Sequence, residues 1–221
     1  MADQFRNVGP LAVPKLAQRL EGLFRALLAR DEPHVLDYGC GYGGWIKYIM
    51  SLKPQTRYRA IDIDQEALAY TKGLFPARYD ESLTQFDAVM AFGLFELIPV
   101  AEQERLLEEF KAMLAPGGTL VLQYNIYNPF SIRWLLLFLA SRGRPKQYHL
   151  ERKYYRTFST IAQIDAMFIR HGYRIDACAT NTLSSFLPIG LDRALRLLFR
   201  SRHFHSTLYY FLRPDVAAKS S

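Results

Sequence analysis

Cysteine is almost absent: Cys40 and Cys178 are the only two in the chain. Two thiols cannot build the disulfide framework of a small secreted scaffold or a cysteine-rich zinc cluster, so a reduced, cytoplasmic setting is expected. Long apolar runs are missing as well. The most apolar stretch, Trp134 to Ala140, is followed by Arg142, Arg144 and Lys146. It falls far short of the roughly 20 residues that a spanning helix needs. The first residues, MADQFRNVGP, carry charge and a proline where a secretory leader has an apolar centre, which argues against a leader. No repeat, low-complexity tract or His/Asp cluster with metal-ligand spacing stands out. The expectation is a soluble chain without a resident metal, at most peripheral to a membrane.

What is present suits one α/β domain. Half of the 221 residues are hydrophobic and 14% are aromatic, enough for a sizeable core. The formal charge of +7 has two readings. It marks a basic face for nucleic acid or an anionic membrane, or arginines that only solvate the surface. Residues 14 to 30 set Leu16, Leu20, Leu23, Phe24, Leu27 and Leu28 at helical spacing, giving an N-terminal helix within 1–32. A strand follows at His34–Tyr38, then a glycine turn at Gly39–Gly44 and a helix at Trp45–Leu52. The next strand is Arg57–Ile63, and the next helix Asp64–Phe75 with Asp64 as N-cap. Ala77–Asp80 reads as a short third strand and Phe86–Phe92 as a fourth. Glu102–Leu114 is a charged helix stopped by Pro116-Gly117-Gly118, and Thr119–Tyr124 is a fifth strand. This alternation predicts a mostly parallel sheet covered on both faces.

After Asn125 the character changes. Pro129–Ala140 is an aromatic-rich helix, and 141–158 a basic, tyrosine-rich connection. Thr160–Arg170 is a helix ended by His171-Gly172, Arg174–Thr180 a sixth strand, Leu191–Phe199 a helix and Ser206–Leu212 a last strand. The reading is a single domain over 1–221, with 125–158 inserted as an acceptor-side or lid segment.

The chemistry concentrates at Asp37-Tyr38-Gly39-Cys40-Gly41-Tyr42-Gly43. An apolar strand runs into an acid and then a glycine turn, where ligand can approach backbone without meeting a Cβ. Gly39, Gly41 and Gly44 can be fitted to the dinucleotide fingerprint. Asp37 opposes that fit, because a carboxylate there faces a phosphate unfavourably and suits a cationic ligand. Some 20 residues on, Asp62 ends the second strand, where an acid can accept both hydroxyls of a ribose.

Taken with Phe86-Asp87-Ala88-Val89 and with Leu114-Ala115-Pro116-Gly117-Gly118-Thr119-Leu120, these residues resemble the class I S-adenosylmethionine-dependent methyltransferases. Four anchors in the family's order cover residues 35 to 122. The resemblance implies a Rossmann-like, seven-stranded, mostly parallel sheet with a reversed last strand. It assigns the cofactor's amino acid end to Asp37, Gly39, Cys40, Gly41 and Gly43, and the ribose to Asp62. It sets Ile63 on the adenine ring, matches Asp80 to the acid that bonds the adenine amino group, with Glu81 adjacent, and lines the site with Phe92 and Gly93. S-adenosylhomocysteine is then the product.

The same resemblance narrows the acceptor. No Asn-Pro-Pro-Tyr motif follows Phe92, as methylation of exocyclic base amines would need. Neither cysteine stands where a cytosine-5 enzyme keeps its nucleophile. Tyr155-Arg156-Thr157-Phe158-Ser159 through Tyr173 is similar to a segment of small-molecule, quinone and lipid methyltransferases. The implied acceptor is small and apolar or lipid-like, and the apolar helix beside basic residues 142 to 156 allows contact with a membrane surface. An oxygen acceptor needs a general base, for which Tyr127, His149 and Glu96 are candidates; a plain loop role competes for His149. Two other readings stand beside this one. An RNA methyltransferase fits the charge but lacks a recognisable RNA-binding module. A non-catalytic cofactor-binding subunit of a partner fits the missing clear base.

Overall fold

The computed structural model describes residues 21–125, 138–139, 141–144, 157, 159–180 and 207–215. Their order is β1 (His34–Tyr38), α1 (Gly44–Leu52), β2 (Arg57–Ile61), α2 (Gln65–Leu74), β3 (Phe86–Phe92), a single 3-10 turn (Phe95–Leu97), α3 (Val100–Met113), β4 (Leu114–Asn125), α4 (Ile161–Arg170), β5 (Tyr173–Thr180) and β6 (Thr207–Pro214). The described strands form a six-stranded sheet in the order β2-β1-β3-β4-β6-β5. β1 pairs in parallel with β2, from His34 opposite Arg57 to Tyr38 opposite Ile61, and with β3, Leu36 lying opposite Val89. The last two strands are antiparallel, as the reversed final strand requires. Among the described residues no helix is long and apolar enough to cross a membrane.

Among the described residues the sheet has six strands where seven are expected. The segment read as Ala77–Asp80 forms one isolated parallel bridge, Tyr79 to Tyr58. The cause is local. The Arg78 and Tyr79 amides donate back to the Phe75 carbonyl, at 2.9 and 3.1 Å, so the chain leaves α2 in a turn. It turns again at once, where Asp80 accepts from the Ser82 amide and hydroxyl. Two ladder bonds, Tyr58 to Arg78 and Asp80 to Tyr58, fit between these turns. β2 also stops two residues early, because the Asp62 side chain caps the Asp64 amide and ends the extended run. Of the N-terminal helix, residues 21–27 are helical and 14–20 lie outside the described residues. Of Pro129–Ala140, the described Phe138 and Leu139 are helical. Leu191–Phe199 lies outside them.

The chain divides into two compact units, Met1–Phe92 with Glu109–Leu122, and Gly93–Glu108 with Gln123–Ser221. In the first, β3 is buried without a break from Ala88 to Ala91, the mark of an interior strand covered on both faces. β2 alternates buried and half-buried positions and, among the described strands, neighbours β1 alone. Phe24 of the first helix, Leu28 just after it, Ile46 and Ile49 of α1, and Phe110 complete this core. In the second unit Phe168 meets Tyr210 edge-on at 5.0 Å. Ile164, Leu107 and Leu208 are buried in the same unit. A capping box starts α4: Thr160 accepts from the Gln163 amide, and Gln163 accepts from the Thr160 amide.

Candidate cofactor site

The glycine turn is tied to β2, Asp62 and α2 by hydrogen bonds through its backbone. The Gly39 and Cys40 amides both donate to the Ile61 carbonyl, at 2.8 and 3.1 Å. The Gly41 amide donates to Asp62 Oδ2 at 2.7 Å, while Asp62 Oδ1 accepts from the Asp64 amide at 2.9 Å. Thr71 of α2 closes the loop by donating its hydroxyl to the Gly41 carbonyl at 2.8 Å. Sequence reasoning missed Thr71. Its signal is there, since a polar residue sits among the inward positions Ala67, Thr71 and Leu74 at helical spacing, and it is fully buried. Gly43 starts α1 in the left-handed region (φ 67°), and a Cβ there would lie 2.4 Å from Leu74 Cδ1. Gly41 differs: it is also left-handed, but a Cβ on it would meet nothing within 4 Å. One glycine makes room for the protein, the other leaves space open above the turn.

Asp37 sits at the end of β1 with 2% exposure, and its Oδ2 accepts no hydrogen bond. Burial first, and the negative charge of Asp62 second, push its carboxyl from the ordinary 3.8 to about 7. A buried acid of this kind calls for a positive partner. Cys40, also buried, has its thiol pushed up to about 12 by burial and then by Asp37 and Asp62. The turn therefore has the field of a cation site with open space above Gly41. A dinucleotide pyrophosphate is repelled by that field. A sulfonium or ammonium group is drawn to it.

The other expected residues are placed as follows. Ile63 is 98% exposed, an apolar side chain presented to solvent beside Asp62. Asp80 accepts from Arg57 and from both Ser82 donors. Those Ser82 bonds, more than the Arg57 charge, hold its carboxyl below the usual range. Glu81 pairs with Lys72 at 3.3 Å. Phe92 ends β3 with its ring 4.2 Å from Trp45 and 6.5 Å from Phe24. Gly93 follows it in the left-handed region (φ 67°). In the second unit Glu96 is 2% exposed and accepts from the Asn125 amide nitrogen. Tyr127 and His149 lie outside the described residues. No cluster of three metal-binding side chains occurs among the described residues.

A family model described as a methyltransferase domain matches residues 13–177. The chain belongs to that family. Its fold agrees with solved methyltransferases at low sequence identity. An S-adenosylmethionine-dependent methyltransferase from Clostridium acetobutylicum superposes with a TM-score of 0.59 at 11% identity, over 91% of this chain and 92% of that one. The plantazolicin methyltransferase BpumL, in complex with S-adenosylhomocysteine, gives 0.59 at 15% identity, over 97% and 87%. Among sequence relatives, ribosomal RNA small subunit methyltransferase C of Chromohalobacter salexigens is 32% identical over 135 residues, 53% of this chain. The match spans 39% of that relative's length. S-adenosylhomocysteine, the product expected from S-adenosylmethionine, is bound in solved structures of this fold. The unpartnered Asp37 carboxylate and the open Gly41 suit that cofactor's charge and size.

Proposed function

We propose that this chain transfers the methyl group of S-adenosylmethionine to a small, apolar or lipid-like acceptor. The cofactor, when bound, supplies a methyl carbon already activated on a sulfonium sulfur. The chain's own part is holding and orienting. Asp37 faces the cation, with Gly39, Cys40, Gly41 and Gly43 forming the turn along the amino acid end. Asp62, its side chain fixed by two backbone amides, receives the ribose hydroxyls. Ile63 gives the adenine ring an apolar face, Asp80 serves its amino group, and Phe92 and Gly93 are the remaining residues assigned to the cofactor.

The observation carrying the acceptor class is the exit of β3. Phe92 is packed by Trp45 and Phe24, and the chain continues Gly93-Leu94-Phe95-Glu96-Leu97. That run is apolar and aromatic with one acid, in place of the Asn-Pro-Pro-Tyr that grips a base amine. Among Glu96, Tyr127 and His149, Glu96 is the group we assign to take the proton from an acceptor hydroxyl. The exposed Phe138 and Leu139 next to the exposed Arg142 and Arg144 support approach to a lipid surface. The ribosomal relative supports a second reading, in which the acceptor is RNA.

One experiment separates them. Purified protein is incubated with methyl-tritiated cofactor and either a lipid and quinone extract or small ribosomal subunits stripped of methylation. Label entering the organic phase supports the first reading. Label confined to RNA replaces it with the second.

A further inference from the structure

The 3-10 turn that carries Glu96 is pinned at both backbone and side chain, entirely within the second unit. Gln103 Nε2 donates to the Phe95 carbonyl at 2.7 Å and to the Ile98 carbonyl at 3.2 Å, straddling the turn. Its Oε1 accepts from the Tyr124 hydroxyl at 2.9 Å. The Thr157 amide donates to the Glu96 carbonyl at 3.3 Å. The side chain is held separately. Asn125, at the end of β4, donates its amide nitrogen to Glu96 Oε1. Thr207, at the start of β6, donates its hydroxyl to Asn125 Oδ1 at 2.6 Å.

This chain of bonds has one direction. The Thr207 hydroxyl donates to the amide oxygen while the amide nitrogen is turned toward Glu96, so the two bonds agree on one orientation of Asn125. An amide also orients a carboxylate without cancelling its charge, as an arginine would. Two other titratable groups face Glu96 among the described residues, Tyr124 on β4 and Tyr209 on β6. Burial first, with Glu96's charge adding to it, pushes both hydroxyls upward. They stay neutral and do not compete for the proton.

We infer that Thr207 and Asn125 are positioning residues, which together hold the Glu96 carboxylate as an oriented anion for the transfer proposed above. The inference rests on that reading for its purpose. In the step it serves, the acceptor oxygen forms its bond to the methyl carbon and the carbon–sulfur bond breaks, its electron pair going to sulfur. The acceptor's proton goes to Glu96. Without Thr207 the amide oxygen loses that donor, the amide nitrogen is held less firmly toward the carboxylate, and protonation of Glu96 becomes easier.

The test needs no acceptor. Full-length protein labelled with carboxyl-13C glutamate is titrated by NMR, with the Glu96 signal assigned by its absence in Glu96→Gln. Thr207→Val should raise the Glu96 midpoint by about one pH unit, a tenfold gain in proton affinity. Thr207→Ser should restore the wild-type midpoint, and S-adenosylhomocysteine affinity should be unchanged in both. Asn125→Asp, which sets a second carboxylate beside Glu96, should raise the midpoint further and serves if Thr207→Val does not fold. A wild-type midpoint in Thr207→Val, or equal shifts in the valine and serine variants, overturns the inference. If the midpoint moves as expected but no organic acceptor is labelled in the previous experiment, the acceptor reading fails and the positioning stands.

Discussion

Lowering the pH from about 8 to about 5 should cost the domain most of its cofactor affinity, and the loss should run through Asp37. In the free protein this carboxyl is buried, its Oδ2 accepts no bond, and burial with the nearby Asp62 lifts it to about 7. A ligand whose amino acid end carries an ammonium group, as S-adenosylhomocysteine does, needs the anion. Below pH 7 binding must expel the proton first, so affinity falls about tenfold per pH unit, roughly 100-fold by pH 5. The free protein shows the opposite trend. A carboxyl whose folded value is raised contributes stability fully present below its unfolded value, 3.8, and lost as pH rises through about 7. Three units correspond to about 4 kcal/mol at most, and the cofactor's positive charge offsets that loss on binding. Asp37→Asn should therefore stabilise the free protein near pH 8, bind S-adenosylhomocysteine weakly, and bind it independently of pH. Calorimetry of S-adenosylhomocysteine binding in two buffers of different ionisation heat counts the protons. Close to one should be released near pH 6 and close to none near pH 9. An affinity flat across this range without proton release, or an Asn variant with the wild-type profile, refutes the reasoning.

Asp62→Ala removes the acceptor for the Gly41 and Asp64 amides. It should weaken S-adenosylhomocysteine binding by about 10- to 100-fold in the same calorimeter, while circular dichroism reports an intact fold. The two left-handed glycines should separate cleanly. Gly43→Ala drives a Cβ to 2.4 Å from Leu74 and 2.9 Å from Thr71, and should cost about 1–3 kcal/mol in urea unfolding. Gly41→Ala meets nothing within 4 Å. Its stability cost should be about 1 kcal/mol, with the larger effect on cofactor affinity.

The regular part of the fold was legible because its signals are short-range. Apolar runs and periodicity marked β1, β3, α2 and α4; Asp64 caps α2 as expected, while Thr160, expected as the first helical residue, proves to be the cap of α4. The edge was not legible. Tyr79 has strand chemistry, but whether one bridge or a full strand forms depends on how α2 unwinds at Phe75, and no periodicity reports that. The cofactor turn was readable as glycines and acids in order. What the sequence could not express is the difference between the acids. Asp62 spends both oxygens on backbone amides, whereas Asp37 lies under the turn with an oxygen unclaimed. That contrast arises from the register of β1 against β2, which sets Asp37 opposite Ala60 and brings Asp62 past the strand end. The Thr207–Asn125–Glu96 chain was equally hidden, since its members stand far apart in sequence and carry no spacing signal.

The same two acids decide what Cys40 can do. Its thiol lies in the glycine turn, the kind of position from which a cysteine could be imagined to attack a substrate. Attack requires the thiolate, and a thiolate there must form under burial beside Asp37 and Asp62, which raises the thiol to about 12. At pH 8 the reactive fraction is then on the order of one in ten thousand. Iodoacetamide at pH 8, followed by mass spectrometry, should modify half-buried Cys178 first and leave Cys40 untouched until the protein is unfolded, when both react alike. Asp37→Asn should speed Cys40 alkylation by removing one of the two opposing charges. If Cys40 in the folded wild type reacts as fast as an ordinary thiol, the field assigned to this turn is wrong. The case for a cationic cofactor over a phosphate would then lose its electrostatic basis, because the same two carboxylates carry both conclusions.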